Sequence, residues 1–391
     1  MTLADRWLLP DGMKEMLPPR ARQVEMMRRR VLDLYDCWGY DLVMPPLAEH
    51  LESLLTGVGR DLEMKTFKLT DQVSGHTLGV RADMTPQVAR IDAHRLRTEG
   101  PSRLCYCGSV LHTRPGNMLA SRNPLQLGAE LYGHAGLDSD VEVISLMLET
   151  LRTVDVKGPV SLDLGHVGVF SELMQEAALA GEEQDRFIDM LQRKALPEIG
   201  SFVAGLDLAE GVAEKLLALP RLNGGVEVLQ RARELFAGSE SILAALTYIE
   251  QVAQRVESRY PATDLYFDLG ELRGYHYHTG VVFAAYSPHF GQALAKGGRY
   301  DRIGEDFGRA RPATGFSADL KTLLEVALAM PEIDRSAVLV PATEEQDLLA
   351  AIADLRQAGV RVVQMLGGEV VPGCCDRQLV LKDGQWVVET R

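Results

Sequence analysis

The stretch RLCYCGSVLHTRPGNMLASRNPLQLGAELYG, residues 103–133, contains two strand-like runs separated by a loop segment. The runs are RLCYCGSVLHT and PLQLGAELYG, and the loop between them is RPGNMLASRN. Short runs rich in residues that favour strands, joined by a nearby loop, are typical of antiparallel pairs. The same pattern occurs upstream, where MKTFKLTD and TLGVRAD flank the turn segment QVSGH. We therefore predict antiparallel strand pairs in this half of the chain.

Helical segments lie between these strand pairs. From Pro19 to Trp38, apolar residues recur on one face of an amphipathic helix, and Gly39 follows as a stop signal. TPQVARIDAHRL, residues 85–96, opens a second helix with Pro86 near its first position. YDLVMPPL, residues 40–47, reads as a strand that prolines end. The pattern predicts an α+β fold, with an antiparallel sheet flanked by helices rather than alternating βαβ units.

The second half of the chain divides into three parts. Residues 170–260 carry long helical runs and almost no strand signal, which predicts a helical insertion. The sheet resumes with DLYFDLGEL, ALAKGGRYD and the helix SADLKTLLEVAL. Residues 331–391 alternate strand, helix and strand and end in a hairpin around Asp383 and Gly384. We predict a sheet-bearing domain over 1–330 and a small α/β domain over 331–391.

Composition narrows the class of protein. The chain has 391 residues, of which 46% are hydrophobic, and a formal net charge of −14. No apolar run approaches the roughly 18 residues that span a bilayer, and the start lacks the order of a secretory signal. We therefore expect a cytoplasmic protein with no membrane partner. The acidic balance argues mildly against a nucleic-acid partner, and five cysteines without CxxC spacing predict free thiols.

The segment GYHYHTG, residues 274–280, concentrates polar aromatic residues. If it is a strand, its period of two places His276 and His278 on one face and Tyr275 and Tyr277 on the other. An HxH pair can bind a metal, but a zinc site needs further ligands and no nearby segment offers the usual spacing. A strand with satisfied polar side chains is the other alternative. Polar residues elsewhere in the chain favour a third interpretation, a ligand pocket.

Those residues follow two of the predicted strands. GVRADMTPQ places Asp83 and Thr85 after a strand, and PLQLGAELYG places Gln126 and Glu130 on one strand face, with Gly128 between them leaving space above the sheet. Together with a tyrosine and an arginine, such groups could bind a zwitterionic amino acid with a polar ring. KGGRYD adds Gly297, Gly298, Arg299 and Asp301, which indicate a turn as readily as a site.

Taken in order, several segments resemble the catalytic domain of histidyl-tRNA synthetase, a class II aminoacyl-tRNA synthetase. The similar segments are LLPDGMKEMLP, WGYDLVMPPL, LGVRADMTP, LQLGAELYG, LRGYHYHTGVVF and GGRYD with RPATGFSADL. The likeness covers about residues 8–329. It implies a class II synthetase-like sheet and a pocket for histidine.

The resemblance also implies a role for each matching residue. Asp83 and Thr85 would hold the α-amino group, and Gln126 would lie near the backbone end of the ligand. Glu130 and Tyr277 would read the imidazole. Arg273 matches an arginine that the synthetases place near the carboxylate and the reacting phosphate, and His278 stands where the family has a further tyrosine.

Two motifs depart from the synthetase pattern. Motif 2 of the family runs Phe-Arg-x-Glu, whereas this chain has LHTR, with His112 in place of the arginine that clamps the α-phosphate. In motif 3, Asp319 stands at the second glycine and Thr322 at the arginine that meets adenine and the γ-phosphate. Lys321 lies one residue away from the arginine position. Neither a lysine nor a histidine can replace the planar, bidentate arginine as a phosphate clamp. We therefore expect no catalysis by this chain and no cofactor. We also expect no metal, because the HxH pair has no further ligands at the usual spacing.

RADMTPQVARI, GAELYGHAG and GYHYHTGVVFAAY are similar to the regulatory subunits of ATP phosphoribosyltransferase, the synthetase paralogues of histidine biosynthesis. Residues 336–391 resemble a shortened anticodon-binding domain. The resemblance implies a short-form catalytic subunit as partner, histidine as inhibitory effector and a dimer. Two alternatives remain open: an active histidyl-tRNA synthetase, and a synthetase-like scaffold associated with tRNA.

Overall fold

The computed structural model describes residues 7–56, 59–115, 121–272, 274–275, 277–329, 332–366 and 373–391. The chain forms two compact units, Met1–Met330 and Pro331–Arg391. In the described parts of the chain, no helix is long and apolar enough to cross a membrane. The five cysteines are free, as the sequence predicted.

The larger unit contains two of the three described sheets and most of the described helices. Its strands are β1 (Asp41–Leu42), β2 (Ala48–His50), β3 (Phe67–Thr70), β4 (Thr77–Val80), β5 (Ser102–Ser109), β6 (Leu125–Tyr132), β7 (Ser161–His166), β8 (Asn223–Gly224), β9 (Asp264–Asp268), β10 (Val281–Ser287), β11 (Phe290–Arg299) and β12 (Ala313–Asp319). Its helices are α1 (Arg20–Cys37), α2 (Leu51–Leu55), α3 (Arg60–Lys65), α4 (Thr85–Arg90), α5 (Leu137–Val154), α6 (Val167–Glu176), α7 (Glu182–Gln192), α8 (Leu196–Ala204), α9 (Val212–Ala218), α10 (Glu227–Leu235), α11 (Glu240–Arg259), α12 (Ile303–Asp306) and α13 (Leu320–Glu325).

Nine of the described strands form one sheet in the order β1-β5-β6-β12-β11-β10-β7-β9-β8. The central pairs, from β5 through β7, are antiparallel, and only the flanking pairs β1–β5 and β7–β9 are parallel. The predicted strand pair is confirmed, since β5 and β6 pair in register over eight residues each. The hairpin of β3 and β4 is also confirmed and belongs to a second sheet, β2-β4-β3.

Helices pack against the large sheet because their apolar faces need a partner. In α1 the buried residues Val24, Met27, Val31 and Tyr35 follow the helical period that the sequence predicted. Helix α5 is buried along most of its length and packs between α1, α11 and the sheet. Helices α6 to α11 follow β7 in the chain and share its core. Together they cover the region in which the sequence predicted a helical insertion.

Two local predictions were wrong. GYHYHTG is not a strand: its described residues form turns, in which the amides of Tyr277 and His278 donate to the carbonyl of Gly274, and β10 begins only at Val281. Gly274 has φ of +76°, a left-handed conformation that breaks strand geometry. The predicted helix SADLKTLLEVAL begins late, because its first residues belong to β12 and helix α13 starts at Leu320.

The smaller unit consists of β13 (Val338–Val340), α14 (Gln346–Gln357), β14 (Val362–Gln364), β15 (Arg377–Lys382) and β16 (Gln385–Thr390). Its sheet has the order β14-β13-β15-β16, and β15 and β16 form the hairpin that the sequence predicted. The buried face of α14, with Leu348 and Ile352, packs on Val338, Val340 and Leu379. This is a small α/β unit with its own apolar core.

Candidate functional site

A cavity of about 520 Å³ lies over one face of the nine-stranded sheet. Asp83 and Thr85 line it where β4 leads into α4. Ile188 of α7 and Leu272, which follows β9, line it farther along the sheet. A volume of this size falls within the range of small-molecule sites.

Two neighbouring rows of directly opposed residues cross the central strands on the cavity side. Directly opposed residues of paired strands share one face of a sheet. The row that we call the glycine row contains Glu130, Gly315, Gly298, Val282 and Gly165. The row that we call the lysine row contains Gly128, Ser317, Lys296, Ala284 and Asp163.

Glu130 lies at one end of the glycine row and is buried, with 1% of its surface exposed. Its Oε1 accepts hydrogen bonds from the hydroxyls of Thr85 (3.0 Å) and Tyr106 (2.9 Å), and its Oε2 accepts one from the hydroxyl of Tyr300. Burial raises the pKa of Glu130 to about 8, although the three hydroxyl donors lower it. A buried carboxyl held by three hydroxyls is positioned to read a polar group of a ligand.

Tyr277 lies beside this carboxyl. Its ring stacks on the ring of Tyr300, with the centroids 4.8 Å apart and the planes at 27°. The hydroxyl of Tyr277 is buried and makes no hydrogen bond within the part of the chain that the structure describes. An unsatisfied buried hydroxyl costs roughly 1–3 kcal/mol, so this group is suited to a ligand atom that can donate or accept a hydrogen bond.

Asp83, Thr85 and Gln126 form one hydrogen-bonded group near the Glu130 end. Asp83 Oδ1 accepts from the Thr85 amide and from Gln126 Nε2, both at 2.9 Å. Gln126 Oε1 accepts from the Met84 amide at 2.9 Å, which fixes the orientation of the side-chain amide. Asp83 Oδ2 makes no hydrogen bond with a described residue, which leaves it able to accept one from a ligand ammonium.

His278 also lines the cavity, next to Tyr277. Its ring lies over Gly298: a Cβ there would be 2.7 Å from His278 Cδ2, so only glycine permits this approach. Tyr275 also lines the cavity, but its ring packs on Phe170, with the centroids 4.8 Å apart. Tyr277 instead stacks on Tyr300, so the two tyrosines do not lie side by side on one strand face as predicted.

Arg273 of the predicted site and His276 of the HxH pair lie outside the described residues. Within the described chain, no three or more His, Cys, Asp or Glu side chains come together in a way that could hold a metal ion.

Sequence reasoning missed two contributors to the site, Tyr106 and Tyr300. Gly128 does not leave open space above the sheet as expected, because a Cβ there would lie 2.5 Å from the hydroxyl of Tyr106. Tyr106 stands directly opposite Gly128 in the β5–β6 pair. A tyrosine opposite a glycine in paired strands is a signal that could have placed this ring over the glycine.

Comparisons with known proteins agree over the whole chain. The sequence matches the family described as histidyl-tRNA synthetase over residues 12–323, and the C-terminal domain of ATP phosphoribosyltransferase subunit HisZ over residues 335–389. It is 55% identical to the ATP phosphoribosyltransferase regulatory subunit of Thioalkalivibrio sulfidiphilus and 54% identical to that of Pseudomonas entomophila, over 99% of each chain. The chain belongs to the family of ATP phosphoribosyltransferase regulatory subunits. This confirms the resemblance seen in the sequence motifs.

Solved structures support the same assignment. A Bacillus halodurans protein described as an ATP phosphoribosyltransferase regulatory subunit/histidyl-tRNA synthetase superposes with a TM-score of 0.81 at 28% identity, over 94% of each chain. Histidyl-tRNA synthetase from Nostoc sp. PCC 7120 superposes with a TM-score of 0.75 at 18% identity, over 98% of this chain and 97% of that one. The second likeness concerns the fold alone, and the predicted synthetase-like fold class is confirmed.

Synthetases clamp the nucleotide with arginines at two positions. In this regulatory subunit, the side chains at these positions make hydrogen bonds within the protein. His112 Nε2 lies 2.9 Å from the carbonyl of Ala82, and burial lowers the pKa of His112. Thr322 donates from Oγ1 to Asp319 Oδ2 at 2.8 Å, while Asp319 Oδ1 accepts from the Leu125 amide at 2.9 Å. A neutral histidine and a threonine bonded to a helix-capping aspartate supply no bidentate cation for a nucleotide.

The sequence indicated either a turn or a site for Arg299 and Asp301. In the regulatory subunit, their side chains connect elements of the fold. Arg299 is buried and makes a bidentate ion pair with Asp140 at the start of α5, with Nη2–Oδ1 and Nε–Oδ2 distances of 2.9 and 3.1 Å. Asp301 Oδ1 accepts from Arg299 Nη1 at 3.2 Å and from the Ala313 amide at 3.0 Å. These contacts join β11 to α5 and β12.

The protonation of Glu130 predicts a pH dependence of stability. From its ordinary value of 4.5 up to about 8, the folded chain keeps a proton that the unfolded chain has already lost. Unfolding in this window releases the proton, so the free energy of unfolding falls with rising pH by up to about 1.4 kcal/mol per pH unit from this group. Glu130→Gln, which cannot titrate, removes this contribution. Thermal unfolding at pH 5.5 and 8.5 checks it: the stability of Glu130→Gln relative to the unsubstituted chain should rise with pH, and an unchanged difference would contradict the assignment.

Proposed function

We propose that this chain assembles with a short-form catalytic chain of ATP phosphoribosyltransferase, raises its activity and makes it sensitive to inhibition by free histidine. The main support is the buried end of the cavity, where the Glu130 carboxyl lies together with the hydroxyl of Tyr277, which has no hydrogen-bond partner among the described residues. A related assembly exists as a solved structure, the HisG:HisZ complex of ATP phosphoribosyl transferase from Thermotoga maritima.

Histidine matches the cavity group by group. Its imidazole carries one N–H donor and one acceptor in the neutral form, and two donors when protonated. Glu130 and Tyr277 offer a carboxyl and a hydroxyl for these two nitrogens. The ammonium group then lies near Asp83, whose Oδ1 is already held by Gln126 and Thr85 while Oδ2 faces no described donor. These pairings are the ones that the resemblance implied.

Feedback requires only a modest energy. A ligand that binds two quaternary states with affinities differing 5- to 150-fold supplies a coupling free energy of about 1–3 kcal/mol. Helix α7 and the segment after β9 meet over the cavity, through Ile188 and Leu272. A bound amino acid would therefore contact several elements at once. A shift in the positions of these elements on binding would change the interaction with the catalytic chain.

An active synthetase is the alternative, and one pair of measurements separates the two functions. We expect calorimetry to detect histidine binding to the purified full-length chain, and histidine-dependent exchange between ATP and pyrophosphate to be absent. Exchange is expected to fail because His112 and Thr322 replace planar arginines, and adenylate formation depends on charge stabilisation of the phosphates. Exchange above background would contradict the regulatory proposal, and absence of histidine binding would contradict the pocket.

We propose further that two copies of the chain associate. Around β1, at the edge of the large sheet, apolar side chains are unusually exposed: Leu42 at 43%, Met44 at 73% and Leu47 at 54%. Exposed apolar clusters of this kind mark interaction surfaces, and soluble oligomers most often form symmetric dimers. Sedimentation equilibrium should give the mass of two chains, and a single-chain mass at micromolar concentration would contradict self-association.

We also propose a cytoplasmic location, since the free histidine that the chain would sense is a cytoplasmic metabolite. Cell fractionation tests this location. Recovery of the chain in the membrane or secreted fraction would contradict it.

A further inference from the structure

The carboxylate of a bound amino acid needs a partner that Glu130, Tyr277 and Asp83 cannot supply. Two of these groups are acids, and a carboxylate is most strongly bound by a cation or by aligned hydrogen-bond donors. The sequence resemblance assigned this task to Arg273, which lies outside the described residues. The described floor of the cavity offers another cation.

That cation is Lys296 in the lysine row. Lys296 stands directly opposite Ser317 on one side and Ala284 on the other. Ser317 makes no hydrogen bond with a described residue through its hydroxyl, and Ala284 presents only a methyl group. The floor at this point therefore combines an ammonium, a hydroxyl and a small apolar surface.

The spacing between Lys296 and the end of the cavity with Glu130 and Tyr277 matches the length of an amino acid. Gly298, two residues along β11, lies in the glycine row, which ends at Glu130. Neighbouring rows are about 6.7 Å apart along a strand. A ligand whose ring contacts Glu130 and Tyr277 over the glycine row would thus extend its backbone end over the lysine row, within reach of the flexible four-carbon stem of Lys296.

Electrostatics make this the preferred place for a negative group. Among the described residues that line the cavity, Lys296 is the only lysine or arginine. Apart from Glu130, which keeps its proton up to about pH 8, the acidic residues that line it are Asp83, Asp163, Asp185, Asp189, Asp268 and Glu271. A carboxylate placed toward those acids would meet like charges, which disfavours it by Coulomb repulsion.

We propose that Lys296, assisted by the hydroxyl of Ser317, binds the carboxylate of the effector and makes the site selective for amino acids over the corresponding amines. The inference rests on the proposed function, because it places histidine in this cavity. It adds Lys296, which the sequence analysis quoted within KGGRYD but did not place in the pocket, and it gives the subunit a means to distinguish histidine from its carboxylate-free analogues.

The test compares two ligands on the purified full-length chain by calorimetry: histidine, and histidinol, in which a hydroxymethyl group replaces the carboxylate. We expect histidine to bind at least about 10-fold more tightly, as a hydrogen bond to a charged group implies. In Lys296→Met, histidine should lose about 10- to 100-fold in affinity while histidinol is unaffected, so the preference disappears. Lys296→Arg should retain a preference.

Two controls make the comparison specific. Lys382→Met removes the same charge from the smaller unit, where Lys382 pairs with Glu389, and should leave both affinities unchanged. Lys296 is exposed at the cavity surface, so its replacement should not unfold the chain, and a thermal melt verifies this. Arg273→Met is measured in parallel as the competing assignment.

Each other outcome overturns the inference in a distinguishable way. If Lys296→Met keeps the preference and Arg273→Met loses it, the carboxylate belongs to Arg273. If the unsubstituted chain binds histidine and histidinol equally, the cavity binds the ring but has no carboxylate subsite. If it binds neither ligand, the proposed function fails together with the inference.

Discussion

Inhibition of the assembled transferase by histidine is expected to weaken when Glu130 is replaced by alanine. The half-inhibitory concentration of histidine should rise by roughly 5- to 150-fold, because a buried polar group of the ligand that loses its hydrogen-bond partner costs about 1–3 kcal/mol. Alanine removes the acceptor of three hydroxyls and the group that would read the imidazole. The measurement is the rate of phosphoribosyl-ATP formation by the complex over a range of histidine concentrations.

Tyr277→Phe makes the same test without disturbing the fold. The Tyr277 hydroxyl has no partner among the described residues, so its removal costs the folded chain no hydrogen bond. A ligand that uses this hydroxyl should lose up to about 10-fold in affinity. Tyr266→Phe is the matched control, since its hydroxyl bonds to Asn223 at 2.9 Å and Tyr266 does not line the cavity. If histidine inhibits the complexes of both Glu130→Ala and Tyr277→Phe as strongly as the unsubstituted complex, the assignment of histidine to this pocket is contradicted.

Arg299→Met is expected to destabilise the larger unit by about 3–5 kcal/mol, the typical cost of breaking a buried ion pair on one side. It leaves Asp140, which is fully buried, with Tyr248 as its remaining described side-chain partner. It also removes the donors to the hydroxyl of Ser139 and the carbonyl of Gly136 at the start of α5. Urea-induced unfolding followed by circular dichroism measures the change.

Two further variants separate the ion pair from general effects of substitution. Arg299→Met with Asp140→Leu should recover much of the loss, because an apolar pair leaves no buried charge without a partner. Arg193→Met removes an arginine whose pairs with Asp189 and Glu198 are exposed, and it should change stability little. Equal destabilisation by Arg299→Met and Arg193→Met would contradict the account of Arg299.

The strand pair of residues 103–133 could be predicted because its pattern and its register depend on local sequence. The period of two placed Gln126 and Glu130 on one face, and in the structure both reach the same group of side chains through Asp83 and Thr85. The same period failed in GYHYHTG. There, a glycine with positive φ makes turn hydrogen bonds more favourable than an extended chain.

Other features depend on contacts that are distant in sequence. Tyr300 reaches Glu130 across 170 residues, and Arg299 reaches Asp140 across 159. Helix α5 was not predicted because most of its residues are buried, which removes the polar face that reveals an amphipathic helix. Lys296 opens the quoted segment KGGRYD, but its place beside Ser317 follows only from the pairing of β11 with β12.

The most direct test of the account is the rate of phosphoribosyl-ATP formation by a purified short-form catalytic chain. The rate is measured with and without this protein, each with and without histidine. We expect this protein to raise the rate, and histidine to lower it only when this protein is present. A rate that this protein does not change, or an inhibition by histidine that is the same in its absence, would contradict the central claim that the chain is a histidine-sensing regulatory subunit.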